Sequence, residues 1–383
     1  MMPDMISYPS RDWSDLRYLV ETDLNPIVTE IDQKGTYPES LLTRFGALGL
    51  YSAHVGPNGP ASGGLFDAVQ GMSVVGESCL STAFMTWCQS TCAWYLYNSD
   101  NTTLKSDLLP YVAAGAQLGG TGLSNPMKSF AGIEANRLQG ERVSGGYVVS
   151  GVLSWVSNLG DDHVFGALFT VPGKATTVMA LVRCGQPGVT IDQRAHFCAL
   201  EGTRTLAVSF RKAFISDDQI LADPAEPYLV RVAPGFIILQ AGMALGLIRG
   251  AIAAMKKANL THGPINTYLP EQPDVFEEAL EGLEAKVRAL AATPYQNTPD
   301  YMVPLLQARL AAAEWSLRAA NAAMLHAGTS GYLQNGTAQR RLREAYFIAI
   351  VTPSIKHLHK ELHDIANGSG CMRHWKSCSA LAG

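Results

Sequence analysis

Charge is what this chain has least of. Only 16% of its 383 residues are Asp, Glu, Lys or Arg, and they leave a net charge of −4. No basic patch stands out, which excludes nucleic acid as a partner, since a polyanion binder presents a basic face. A secretory leader is missing too: MMPDMISYPSRDW has no basic segment followed by an apolar one, so the expected location is the cytoplasm. The longest apolar run, Pro234 to Met255, is interrupted by Gln240 and Arg249. A membrane span tolerates an arginine poorly, and the run reads as a buried bundle helix. There is no disulfide framework: the seven cysteines are odd in number and irregularly spaced, and Cys79, Cys88 and Cys92 lie in apolar helical sequence. Buried thiols in a reducing compartment account for them. No internal repeat or low-complexity segment is visible.

What is present is a hydrophobic content of 47%, that of a globular chain, over a length that calls for two or three subdomains. So little charge also fits a surface partly covered by self-association. From Trp13 to about Ala114 the pattern is helical; Leu41, Leu42, Phe45, Leu48 and Leu50 recur at helix spacing, and Phe66 to Tyr97 is long enough for two helices. Between Gly119 and about Ala222 the period becomes strand-like. Tyr147–Val149, Val164–Val171, Thr177–Val182 and Thr205–Phe210 are short and rich in β-branched or aromatic residues, with turn residues at their ends. From Pro234 the chain is helical again. Phe276, Ala279, Leu280, Leu283, Val287 and Leu290 form an amphipathic stripe, and Leu305 to Leu325 is Ala-rich, with Pro304 suited to a helix start. The spacing therefore predicts an α+β protein: a helical domain over 1–118, a small β-domain over 119–228, a helical bundle over 229–367 and a flexible tail over 368–383.

The most informative stretch is TGLSNPMKSFAGIEANRLQGERVSGGYVVSGVLSWVSN, from Thr121 to Asn158. A small hydroxyl residue precedes a proline (Ser124-Asn125-Pro126), a Gly-Gly turn follows, and a strand ends in Trp155-Val156-Ser157. Taken singly, each piece has a plain structural reading: a turn, or a core tryptophan on a strand. Together they resemble the acyl-CoA dehydrogenase superfamily, whose members carry a Thr-Glu-Pro segment and a later Gly-x-x-x-Trp-Ile-Thr segment at this spacing. Ala47-Leu48-Gly49-Leu50 and Gly63-Gly64 match that family's first domain, and the resemblance extends to about Asn367. It implies the acyl-CoA dehydrogenase-like fold, with a C-terminal four-helix bundle.

The resemblance also implies a flavin, FAD, with FMN or reduced flavin as the alternative. An isoalloxazine ring needs donors at its polar edge, a hydroxyl near N5 and a flat apolar neighbour. By resemblance these come from the Leu123 backbone, the Ser124 hydroxyl, Trp155 and Ser157, with Ser129, Gly328 and Gly331 as further cofactor contacts. Departures from the family pattern fall on the dinucleotide half. Its Glu-Pro-Gly-x-Gly-Ser-Asp reads Asn125 to Ala131 here and has lost its glycines. Its Arg-x-x-Phe-Gly reads Asn259 to Gly263, without the charged fork that pairs with phosphate. Its Gln-x-x-Gly-Gly-x-Gly reads Leu325 to Gly331, with the glutamine lost.

The family's proton-abstracting Glu has no counterpart at either of its known locations. Thr352 stands at one, a threonine that cannot act as a base at neutral pH, and Phe236 to Gln240 covers the other without an acid. Glu344 reads as a structural acid. His357, His359 and His363 lie just beyond, on a stretch whose simplest reading is a solvated helix. His357 is the one retained as a catalytic candidate beside Thr352, and no metal site is expected. The implied activity is a flavin-dependent oxidoreductase acting on an acyl-CoA or other small organic substrate. One alternative is a two-component flavin monooxygenase that uses reduced flavin and O2, with a flavin reductase as partner. The other is a non-catalytic binding or assembly protein of the same fold. A homodimer or homotetramer is expected in each case.

Overall fold

In the computed structural model, which describes residues 11–56, 59–60, 63–174 and 176–368, helices precede and follow one twisted sheet. The first helical region contains α1 (Ser14–Leu19), α2 (Val28–Lys34), α3 (Glu39–Ala47), α4 (Gly64–Ser78), α5 (Leu80–Asn98) and α6 (Thr102–Ala113). The apolar run over 66–97 divides into α4 and α5, as its length predicts, at an extended Cys79. Almost every side chain of α5 is buried, so this helix is a core element with no solvent face. Asn101 caps α6, its side chain accepting from the Leu104 N–H at 3.0 Å.

The sheet has eight strands: β1 (Gly119–Thr121), β2 (Leu138–Val143), β3 (Gly146–Val156), β4 (Val164–Thr170), β5 (Thr177–Arg183), β6 (Val189–Asp192), β7 (Leu206–Ser216) and β8 (Ile220–Ala222). Their order is β6-β7-β3-β2-β4-β5-β8, with β1 running parallel to β4. β3, β4, β5 and β7 fall on the four runs read as strands, and β7 continues past Phe210. Ser124-Asn125-Pro126 is not a free turn. It opens a short helix, α7 (Ser124–Phe130), in which the Met127 N–H donates to Leu123 O at 2.9 Å and the proline sits in the first turn, where its missing N–H costs nothing. The β2–β3 hairpin turns on Gly145 at φ +77°, a conformation costly for a residue with a Cβ.

The C-terminal region contains α8 (Glu226–Asn266), α9 (Pro273–Ala291), α10 (Pro299–Ala327), α11 (Thr337–Ile350) and α12 (Ile355–Ala366). Two boundaries differ from the reading above. α8 begins at Glu226 and carries Pro234 inside it, and α10 begins at Pro299 rather than at Pro304. Pro299 takes the first-position role because its absent N–H would have had no partner there, whereas Pro304 forfeits one bond inside the helix. Among the described helices α8 is the one long and apolar enough to span a membrane by composition, yet 89% of that stretch is buried against the other helices. α4 crosses it closely at a pair of glycines: a Cβ on Gly246 would stand 2.5 Å from Ser73 O.

Glu344 on α11 has the structural role read for it. It is buried and accepts from the Leu80 N–H at 3.2 Å, from Arg340 Nη1 at 3.0 Å and from Arg341 Nη1 at 3.0 Å. The clamp ties α11 to the start of α5. Cys79, Cys88, Cys92 and Cys184 are buried and Cys198 is exposed, all with free thiols. Of the tail expected over 368–383, residues 369–383, which include Cys371, His374 and Cys378, lie outside the described residues.

Candidate functional site

The sheet, α5 and the end of α11 enclose a cavity of about 440 Å³. Into its wall the fold brings four of the residues singled out in the sequence: Ser124 from the start of α7, Trp155 and Ser157 from the end of β3, and Thr352 from the loop after α11. The β3–β7 pairing loses register between Leu153 and Val156, and at this irregularity Trp155 is left 49% exposed while Val156 is buried. An indole is costly to leave half in water, and here its open face borders the cavity.

The remaining walls are mostly aromatic. Phe84 and Trp87 on α5 stack at 5.7 Å. Phe347 meets Phe84 edge-on at 4.5 Å, and Phe236 on α8 meets Trp87 at 4.9 Å. Phe197, on the β6–β7 connection, meets Trp155 edge-on at 5.3 Å. Burial pushes the Cys88 thiol in this wall well above its ordinary pKa, so it is a neutral side chain and no nucleophile.

The polar part of the wall is built from hydroxyls. Ser124 Oγ lies 3.0 Å from Thr352 Oγ1, and Thr121 Oγ1 lies 2.7 Å from Tyr95 OH. Ser157 Oγ is 2.7 Å from Thr205 Oγ1, which is 2.8 Å from Thr203 Oγ1, which donates to Leu200 O at 2.7 Å. Thr121, Thr203, Thr205 and Phe197 were not singled out in the sequence. They sit at a strand end and on a connection between strands, and only tertiary structure points them inward.

Two cations border the cavity and both are paired. Lys128 Nζ lies 3.6 Å from Glu134, and Arg343 donates to Asp32 at 2.8 Å and to Cys198 O at 2.7 Å. Among the described residues, no Asp or Glu lines the cavity. Behind Thr352 runs a buried chain: Gln240 Nε2 donates to Thr352 O at 2.9 Å, and Gln240 Oε1 accepts from Arg309 Nε at 2.7 Å. Arg309 Nη2 donates to Ile348 O at 2.7 Å, while Nη1 is buried without a partner. Burial pushes Arg309 down to about 10, with no neighbouring charge to offset it.

Leu123 is read as a backbone contact; its side chain faces a separate small apolar hollow beside Met127 and Phe130. The other candidates stand apart from this wall. Ser129, Gly328, Gly331 and His357 are not in the lining. His357 is buried with Nε2 3.4 Å from Glu361 and Nδ1 unpartnered. Gly328 and Gly331 shape the 3-10 turn Gly328–Tyr332 after α10. The 259–263 and 325–331 segments, matched above to the dinucleotide contacts, do meet at one end of the bundle, where His326 Nδ1 lies 2.9 Å from Asn259 Oδ1. The described residues contain no cluster of three or more metal-ligating side chains.

This donor set fits a flavin ring. A half-exposed indole offers a flat face, and the Ser124–Thr352 pair, both members of which line the cavity, spends one proton on itself and leaves the other for an acceptor there. The set offers little to a pyrophosphate, because both bordering cations are already held by carboxylates.

Residues 14–116 match the family model of the acyl-CoA dehydrogenase N-terminal domain. The probable acyl-CoA dehydrogenase YngJ of Bacillus subtilis is 25% identical over 86% of this chain and 90% of its own length. The structure of butyryl-CoA dehydrogenase from Megasphaera elsdenii superposes with a TM-score of 0.82 at 17% identity, covering 94% of this chain and 100% of that one. A glutaryl-CoA dehydrogenase from Mycobacterium smegmatis, solved in complex with FADH2, gives a TM-score of 0.74 at 17% identity over 96% and 97% of the two chains. At such identities the likeness to these two structures shows the fold.

Proposed function

The chain belongs to the acyl-CoA dehydrogenase superfamily, and from that premise we propose that it is a flavin-dependent oxidoreductase working without the usual carboxylate base. One observation carries this reading. Ser124, Trp155, Ser157 and Thr352 converge on one largely aromatic cavity that no carboxylate lines among the described residues. The flavin, when bound, supplies the electron or hydride transfer. The chain's own part is to hold and orient. Trp155 gives the ring a flat neighbour, Ser124 and Ser157 meet its polar atoms, and Phe84, Trp87, Phe236 and Phe347 keep water from the substrate side. Thr352, in the position of the family's base, offers a hydroxyl held by Ser124 at 3.0 Å and so orients a polar group rather than removing a proton.

The substrate is an acyl-CoA, as the names of relatives such as YngJ suggest, or another small organic molecule. FAD is the cofactor, with FMN or reduced flavin as the alternative given the paired cations. The missing carboxylate favours a second reading, a two-component monooxygenase fed with reduced flavin by a reductase. Exposed Leu260, Tyr268, Leu325, Tyr332 and Leu333 at the end of the bundle offer a face for a homodimer or homotetramer.

An absorption spectrum of the purified protein, with extraction and identification of any cofactor, tests the flavin directly. Bleaching of bound oxidised flavin by an acyl-CoA marks a dehydrogenase. Oxygen consumption after loading with reduced flavin, with a substrate hydroxylated, marks the monooxygenase. Protein that stays colourless and takes up neither FAD nor FMN removes the enzyme reading and leaves a binding protein.

A further inference from the structure

The three-hydroxyl chain beneath Trp155 has only one consistent direction. Thr203 is fully buried, and its single proton goes to Leu200 O at 2.7 Å. A hydroxyl has one proton and two acceptor lone pairs. The 2.8 Å contact between Thr203 and Thr205 is therefore donated by Thr205, and the 2.7 Å contact between Thr205 and Ser157 is donated by Ser157. All three protons are committed. Ser157 Oγ is left with lone pairs only, and the residue lines the cavity. Ser124 and Thr352 form a simple pair with no carbonyl to fix its direction, and they keep a proton to give. The two hydroxyl sites of one cavity thus have opposite polarity.

We infer that Thr203 and Thr205 are positioning residues that turn Ser157 into a hydrogen-bond acceptor, so that the cavity holds flavin preferentially in its reduced form. The inference rests on the flavin reading proposed above, with N5 set against Ser157 rather than against Ser124. In that seat oxidised flavin would present N5 as an acceptor to lone pairs at Ser157. Reduced flavin would carry N5–H, a donor that Ser157 Oγ can accept. A mismatch of two acceptors forfeits a hydrogen bond of about 1 kcal/mol, close to a fivefold difference in affinity. The arginine behind Thr352 acts in the same sense. Arg309 is buried, has no carboxylate partner, and stands two hydrogen bonds from the cavity wall through Gln240. An uncompensated cation there favours a ring that has gained negative charge.

The test is the pair of dissociation constants for oxidised FMN and for dithionite-reduced FMN under anaerobic conditions, repeated with FAD. Wild-type protein is expected to bind the reduced form about fivefold tighter or more. Thr203→Val keeps the volume of the side chain but removes the end of the chain, which frees Ser157 to donate. It should narrow the preference several-fold, chiefly by strengthening the oxidised form. Ser157→Ala should weaken the reduced form and leave the oxidised form nearly unchanged, which serves if Thr203→Val does not fold. Equal or tighter binding of oxidised flavin by wild type, or a Ser157→Ala loss falling on the oxidised form, overturns the inference while the flavin reading stands. Failure of wild type to bind either form overturns both.

Discussion

Two buried arginine nodes in the C-terminal helices look alike in burial and differ in whether an acid sits among them. Around Glu344, Arg340 and Arg341 converge on one carboxylate that also accepts the Leu80 N–H, so each cation has an acid in contact, although Arg341 Nε is buried without a partner. Among the described residues no acid pairs with Arg309: its partners are the Gln240 amide and the Ile348 carbonyl, and Nη1 has none. The acid-bearing node lies where α11 meets α4 and α5. The acid-free one lies behind the wall of the cavity. A buried charge without a counterion costs folding free energy that packing alone has no reason to spend. The difference therefore separates a node tied to a carboxylate from one that leaves a charge without a counterion behind the cavity wall.

The largest expected effect is at the acid-bearing node. Glu344→Gln leaves two cations facing a neutral amide in a buried site, and breaking a buried pair in this way costs about 3–5 kcal/mol. Chemical denaturation should record that loss, and a cost below about 1 kcal/mol would erase the contrast between the nodes.

A buried group can also escape the problem by staying neutral, as His54 does. Its ring is enclosed between the first helices and α5, with Nε2 2.8 Å from Ser90 O and Nδ1 unpartnered. Burial pushes its pKa down to about 4 from 6.5. Between these values the unfolded chain takes up a proton that the folded chain refuses, so stability is full above about pH 6.5 and falls as pH drops toward 4. A shift of that size corresponds to roughly 3 kcal/mol at its limit. Unfolding free energies across this range should show the decline in wild type, and His54→Gln should flatten it.

Arg309→Met sharpens the comparison from the other side. Removing the guanidinium relieves an unpaired buried charge but leaves Gln240 Oε1 and Ile348 O each short of a donor, at about 1–3 kcal/mol per group. Relief and loss oppose, and the net change in unfolding free energy should stay within about 1 kcal/mol. A loss like that of Glu344→Gln would make Arg309 another clamp.

These nodes also mark how far the sequence could be read. Period and composition separate the helical ends from the β-rich middle, because amphipathic stripes such as Phe276 to Leu290 and β-branched runs such as Val164 to Val171 follow from local geometry. Glu344 was legible as a structural acid, and Ser124, Trp155, Ser157 and Thr352, named from their motifs, do share one cavity. The strands β1, β2, β6 and β8 were not legible; the three or four residues of β1, β6 and β8 carry no period of their own, the six of β2 (LQGERV) are mostly polar, and Gly-rich β1 is held by its pairing with β4. Thr203 and Thr205 were invisible for another reason: their role depends on hydrogen-bond direction across residues 157 to 205, and Arg309 gains its meaning from the absence of an acid nearby in space.

Thr352→Val is the smallest change expected and the most specific. It deletes the 3.0 Å contact with Ser124 and leaves the Thr352 carbonyl on Gln240 in place. Ser124 is only half-buried and faces the cavity, so water replaces the lost partner, and the cost in stability should be about 0.5 kcal/mol. A carboxylate base removed at this position would abolish turnover; a hydroxyl that only orients should leave measurable turnover with a raised KM. If instead Thr352→Val loses turnover outright while oxidised and reduced flavin bind as in wild type, the hydroxyl takes part in the reaction itself. The cavity side of the comparison would then rest on Thr352 rather than on the uncompensated charge of Arg309.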